Sequence, residues 1–261
     1  MRLSVQHETQ YRFSEPQARV VQLLRLFPGD TSQQTVVNWR IDVDCDARLR
    51  ESIDGYGNRT RMLYAEGPVE TLNLIVTGEA LLSESEGPIE GTDEPFPPDL
   101  FLRTTPLTIA DDAIAALATG NDLAAMTALA AAIHARWPLD RRPTPTIRSA
   151  LDATADDRLS PRDMAQIFVA AARAQGVPAR YVSGYSLSGD DARRTAAPHA
   201  WAEAFVADGW YAFDPAVGGR SGLDHIRVAV ALDAAAAAPI AGVRMGAGEE
   251  VLDVDVRVEE A

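Results

Sequence analysis

The chain has 261 residues, 46% of them apolar, enough for one large domain or two modest ones around a real core, so disorder is not expected. With 24 basic against 38 acidic side chains the net charge is −14, and no basic run is long enough to track a phosphate backbone, which argues against nucleic acid as a partner. No apolar stretch approaches the roughly 18 residues that cross a bilayer, and the N-terminus turns polar at once, so a soluble cytoplasmic protein with no signal peptide and no membrane partner is expected.

Residues 1 to about 90 predict strands. Segments 2–5 and 9–13 alternate apolar with polar, and 18–27 is rich in β-formers until Pro28-Gly29-Asp30 stops it. Further strands are expected at 34–43, 61–64 and 71–78, with turn chemistry at Asp54-Gly55-Tyr56-Gly57-Asn58. Short strands with regular turns predict a β-sandwich-like domain over 1–95. Gly87-Pro88, Pro95, Pro97-Pro98 and Pro106 then mark a linker near 88–108. Beyond it, 108–261 reads as an α+β core, opening with helical segments at 109–117, 123–137 and 147–153.

The clearest helix start lies at Ser160-Pro161-Arg162-Asp163. Serine stands at the N-cap, proline at the first helical position and an acid near the positive end of the macrodipole. An apolar face follows until Gly176-Val177-Pro178. Strands are expected at 179–185, 199–206 and 210–214, and a last alternating stretch runs from 250 to 258. The patch Ala234–Ala238 carries no assignable function. The acids Asp156-Asp157 and Asp190-Asp191 read as solvated loops, and Trp201 and Trp210 as core.

Chemistry concentrates in two positions. His199 lies in Pro198-His199-Ala200-Trp201-Ala202-Glu203, and Asp214 follows fifteen residues later in Phe213-Asp214-Pro215. The turn Ala207-Asp208-Gly209 predicts a hairpin that sets the two on adjacent strands, where the acid holds one ring nitrogen and frees the other. That is the base-and-orienter half of a catalytic triad; without a nucleophile it is equally a structural pair tying two strands. The single cysteine, Cys45, sits far upstream between Asp44 and Asp46, which would raise its pKa. One cysteine excludes an internal disulfide framework and a cysteine-based zinc site. A metal on His199 and Asp214 alone would lack ligands, so neither metal nor cofactor is expected.

The segments Gly176-Val177-Pro178-Ala179-Arg180-Tyr181-Val182-Ser183-Gly184-Tyr185, Pro198 to Glu203, Phe213-Asp214-Pro215 and Asp224-His225-Ile226-Arg227-Val228-Ala229-Val230 together resemble the bacterial transglutaminase-like proteins, whose core is papain-like. His7-Glu8-Thr9-Gln10-Tyr11-Arg12-Phe13, Leu23-Leu24-Arg25-Leu26 and the turn at 54–58 resemble the β-rich domain that precedes that core in the same family. The resemblance implies a catalytic cysteine opening the core helix, in the pattern Gly-Val-Cys-Gln-Asp-Phe-Ala-His. Aligned on Asp163, Ala165 and Phe168, that pattern sets the cysteine at Pro161 and the helix histidine at Gln166. Proline offers neither a nucleophile nor a backbone N–H for an oxyanion. Ser160 is the alternative nucleophile, although Ser followed by Pro is also an excellent N-cap, whose oxygen would point at the helix. His225 fits either a cleft-lining group or a satisfied core histidine.

Three expectations follow. The first is a pseudoenzyme that binds peptide or protein or acts as a scaffold. The second is an amide hydrolase or acyltransferase using Ser160, or an unrecognised group, with His199 and Asp214. The third is an interaction module in which the β-rich domain does the binding.

Overall fold

The computed structural model describes residues 1–142, 146–187, 194–195 (backbone only) and 197–261. Asp190-Asp191 lie outside the described residues.

The first region is built on two long strands. Strand β1 (Arg2–Leu24) joins into one element what the sequence divides into three, and β4 (Arg59–Leu82) runs antiparallel beside it. The ladder shifts register between Arg12 and Arg19, around Pro16, which has no N–H to give to a ladder. Opposite that shift Gly67 approaches so closely that a Cβ there would meet the Gln17 carbonyl oxygen at 2.1 Å. Strands β2 (Gln34–Val43) and β3 (Ala47–Ile53) pair with opposite halves of β4. Tyr11, Phe13, Leu72 and Leu74 from one half meet Val20, Leu24, Leu63 and Ala65 from the other in a single core. One hydrogen-bonded sheet of seven strands thus folds over itself to supply both layers of the sandwich.

Two of those seven strands come from the end of the chain. Strand β11 (Ile240–Met245) pairs with the second half of β1, and β12 (Glu250–Glu260) with its first half. Residues 240–260, which lie in the 108–261 region expected from the sequence, thus complete the first region's sheet. Val256 and Val258 bury there beside Leu3, Val5, Tyr185, Ile226 and Val228, a cluster that joins the two halves of the molecule. The expected linker is corrected. Ile89 N–H donates to the Trp210 carbonyl at 2.8 Å, and buried Phe101 stands edge-on to Trp210 at 5.2 Å. The segment is a strap, held because Arg173, buried in the core, donates to the Phe101 carbonyl at 2.7 Å.

The second region centres on one helix against a sheet. Helices α1 (Asp112–Ala115) and α3 (Ala150–Ala153) are shorter than expected, because the Asp111 and Ser149 caps start them later. Helix α2 (Leu123–Arg136) matches its expected span within a residue. Helix α4 (Pro161–Ala174) is buried from Asp163 to Arg173. It packs on strands β5 (Ala179–Ser186) and β7 (His199–Val206), where Ala200, Ala202 and Ala204 let it approach closely. Strands β8 (Gly209–Asp214), β9 (Gly219–Arg220) and β10 (His225–Ala231) complete a five-stranded sheet ordered β10-β5-β7-β8-β9. The two-residue strand β6 (Arg194–Thr195) pairs with β12. Among the described residues no helix is long and apolar enough to cross a membrane.

Candidate active site

The hairpin between β7 and β8 brings the predicted pair together. Ala207 and Asp208 both take positive φ, 49° and 62°, the tight two-residue turn whose twist matches the flanking strands. Val206 then pairs with Gly209 and Ala202 with Phe213. Strand alternation therefore puts His199, Trp201 and Glu203 on the face that carries Asp214, while the alanines face α4.

His199 Nε2 donates to Asp214 Oδ2 at 2.7 Å. A carboxylate only accepts, so the shared proton rides on Nε2 and Nδ1 is the ring nitrogen left for other groups. Asp214 is fully buried, and its Oδ1 accepts the Ala216 N–H at 2.8 Å. The same Oδ2 also accepts from His225 Nε2 at 2.8 Å, and the other ring nitrogen of His225 donates to Asp224 Oδ1 at 2.7 Å. His225 is thus a satisfied core histidine. Burial works to lower its pKa, but the hydrogen bonds and charges of Asp214 and Asp224 carry it up to about 9. Burial would raise Asp214, yet the charge of His199 and the hydrogen bonds from His199 and His225 hold it well below the usual carboxylate range.

These three groups offer ligand atoms within 4.8 Å of one another and could together take a cation, so His225 supplies the third ligand that His199 and Asp214 lacked. The present geometry is fully accounted for by protons, since one oxygen lies at hydrogen-bond distance from both imidazoles.

Trp201 and Trp210 are core, as expected; Trp201 stands edge-on to His225 at 5.0 Å. Beside them runs a buried ionic network that the sequence reading missed. Glu203 accepts from Arg180 Nε at 2.6 Å and Arg227 Nε at 2.7 Å, Arg180 reaches Glu94 at 2.8 Å, and the Arg180 guanidinium lies 3.9 Å over the Trp210 ring. The available signal was a glutamate at an inward position of an otherwise apolar strand, which needs a buried partner.

The helix start forms the other side of the site. Ser160 Oγ accepts the Asp163 N–H at 3.2 Å and donates to the Asp163 carboxylate at 2.8 Å; that carboxylate also takes Arg148 Nη2 at 2.8 Å. Both functions of the hydroxyl serve the cap. Gln166, at the expected histidine position, is equally occupied: Nε2 donates to the Arg148 carbonyl and Oε1 accepts the Ala234 N–H at 3.1 Å.

Ser160, Pro161 and His199 border one cavity of about 410 Å³, whose lining also includes Val256 and Val258 of β12. His199 is the member of the histidine–carboxylate cluster that reaches it, with 14% of its side chain exposed against 0% for Asp214 and 3% for His225. Cys45 lies elsewhere, packed partly against the first region's core, where burial and then Asp44 and Asp46 push its thiol up.

Comparison with known proteins follows this geometry. Residues 3–80 match the bacterial transglutaminase-like N-terminal region, and residues 112–215, which contain Pro161, His199 and Asp214, match the transglutaminase-like superfamily core. An uncharacterized protein of Mycobacterium leprae is 28% identical over 277 residues, covering 98% of either chain. A crystal structure from Cytophaga hutchinsonii, described as that of a candidate cysteine protease, superposes with a TM-score of 0.69 at 18% identity, covering 99% of this chain and 90% of the other. That likeness shows a shared fold.

Proposed function

We propose, from the premise that this chain belongs to the bacterial transglutaminase-like family, that it is a pseudoenzyme whose cleft binds a peptide or protein segment. The observation that carries this reading is the Ser160-Pro161 helix start on the cavity that His199 borders. Set on α4, the family's helix pattern assigns its nucleophile to Pro161. Such a site keeps a base and its orienting acid with nothing for them to activate. It also lacks the N–H of residue 161, and the loss of one oxyanion donor costs about 2.7–4 kcal/mol in transition-state stabilisation. What remains is a cleft with apolar walls and a few polar groups, the ordinary makings of a binding site.

The test is turnover. Purified protein is assayed for amide hydrolysis and acyl transfer on peptide substrates, before and after alkylation of Cys45, and is exposed to a serine-directed reagent. Neither turnover nor labelling of Ser160 is expected, and alkylation should change nothing. Turnover that disappears in Ser160→Ala would overturn the pseudoenzyme reading in favour of a serine-based amidase.

A further inference from the structure

The chain contains no lysine: all 24 basic side chains are arginines, and its 38 acids outnumber them. Among its described residues the cleft reverses that balance. Its described lining carries Arg141, Arg142 and Arg162 but one carboxylate, Asp140. Asp140 is already engaged, because Arg142 reaches it through Nε at 3.0 Å and Nη2 at 2.7 Å. Arg141 is exposed at the mouth and has no hydrogen-bond or ion-pair partner among the described residues. Inside this rim the walls are apolar or aromatic, including Tyr181, Tyr185, Val256 and Val258.

A guanidinium presents a planar fork of donors that matches a carboxylate, whereas a neutral amide gains little from it. On a protein of net charge −14, acidic ligands are repelled on average, and a local excess of guanidinium at one cavity mouth works against that field where a ligand would enter. Resting on the peptide-binding reading above, we propose that the cleft selects peptide segments in which a carboxylate lies beside an apolar residue, the apolar side chain entering between β12 and β5 and the carboxylate meeting Arg141 at the rim.

The test uses the full chain and three pools of fluorescently labelled peptides, identical in length and apolar content, with Glu, Gln or Arg at the positions flanking the apolar residue. Binding is followed by anisotropy. The Glu pool should bind about fivefold more tightly than the Gln pool, the effect of one partly exposed ion pair, and the Arg pool should bind most weakly. Arg141→Gln should remove the preference of Glu over Gln, and Arg141→Glu should reverse it; circular dichroism checks that both variants are folded. Equal binding of the Glu and Gln pools overturns the charge selection while leaving peptide binding intact. A preference that survives both substitutions overturns the placement at Arg141. Binding by none of the pools overturns this inference together with the peptide-binding reading beneath it.

Discussion

At the strand corner of the cleft, Asp214 accepts from His199, from His225 and from the Ala216 N–H, whereas at the helix corner Ser160 and Asp163 bond to each other and to Arg148. The strand corner ties the start of β10 to the β7–β8 hairpin, whereas the backbone ladders join β10 to β7 only through β5. The helix corner satisfies the first turn of its own helix and the loop beside it. Removing a residue from the first therefore loosens β10 from the β7–β8 hairpin and strands a charge. At the second, a change costs one cap. The comparison explains how a histidine–carboxylate pair can persist for structural reasons beside a helix start that is ordinary in every respect.

The largest expected effect breaks the strand corner. Asp214→Ala leaves His225 and His199 facing a void with Asp224 as the remaining carboxylate, and loss of one partner from a buried charged cluster costs about 3–5 kcal/mol. Denaturant unfolding should show this as a lowered midpoint with an unchanged slope. A loss under about 1 kcal/mol, the scale of a surface pair, would mean that the corner is not structural.

The same cluster gives a pH dependence. His225 is raised from 6.5 to about 9, so its contribution is complete below pH 6.5 and is lost as pH climbs through 9. Asp214 is shifted the other way from 3.8, so its contribution is present above that value and fades as pH falls below it. Stability should be highest between these limits, with an alkaline loss of about 3 kcal/mol that Asp214 and His225 share rather than add. His225→Gln should flatten the alkaline limb; if that limb persists in the variant, the titrating group lies elsewhere.

The helix corner should respond more weakly. Ser160→Ala removes the cap and should cost about 1–2 kcal/mol in unfolding free energy, with peptide binding unchanged. A loss of binding with intact stability would instead give the hydroxyl a role in the cleft.

The smallest effect on stability, and the sharpest on chemistry, is expected from Pro161→Cys. Replacing proline at a compatible position costs about 0.4–1 kcal/mol through the unfolded chain. A thiol at a helix N-terminus on the cavity of His199 should react with an alkylating reagent faster than Cys45, whose thiol is pushed up. Amide turnover should stay negligible, because Arg162 and Gln166 also depart from the family pattern. Robust turnover by this single variant would show that the site lacks its chemistry at residue 161 alone.

Much of the site was legible in the sequence. Ser160-Pro161 declared a helix start through capping chemistry that acts within one turn, and Ala207-Asp208-Gly209 declared a hairpin that sets His199 and Asp214 on adjacent strands. Both are local signals, and local interactions survive in any tertiary setting that keeps the elements. Other features were decided only by the folded chain. The alternation at 250–258 announced a strand but not that it would cross back to pair with β1, because a period of two specifies a buried face and leaves the partner open. The prolines near 88–108 read as a linker, and only Trp210 and Arg173, far along the chain, turn that segment into a strap. His225 joined Asp214 through the pairing of β10 with β5, and Arg141 came to the mouth of a cavity walled by β12. Each depends on side chains that meet across many residues of sequence, where no periodicity or cap can name the partner and packing makes the choice.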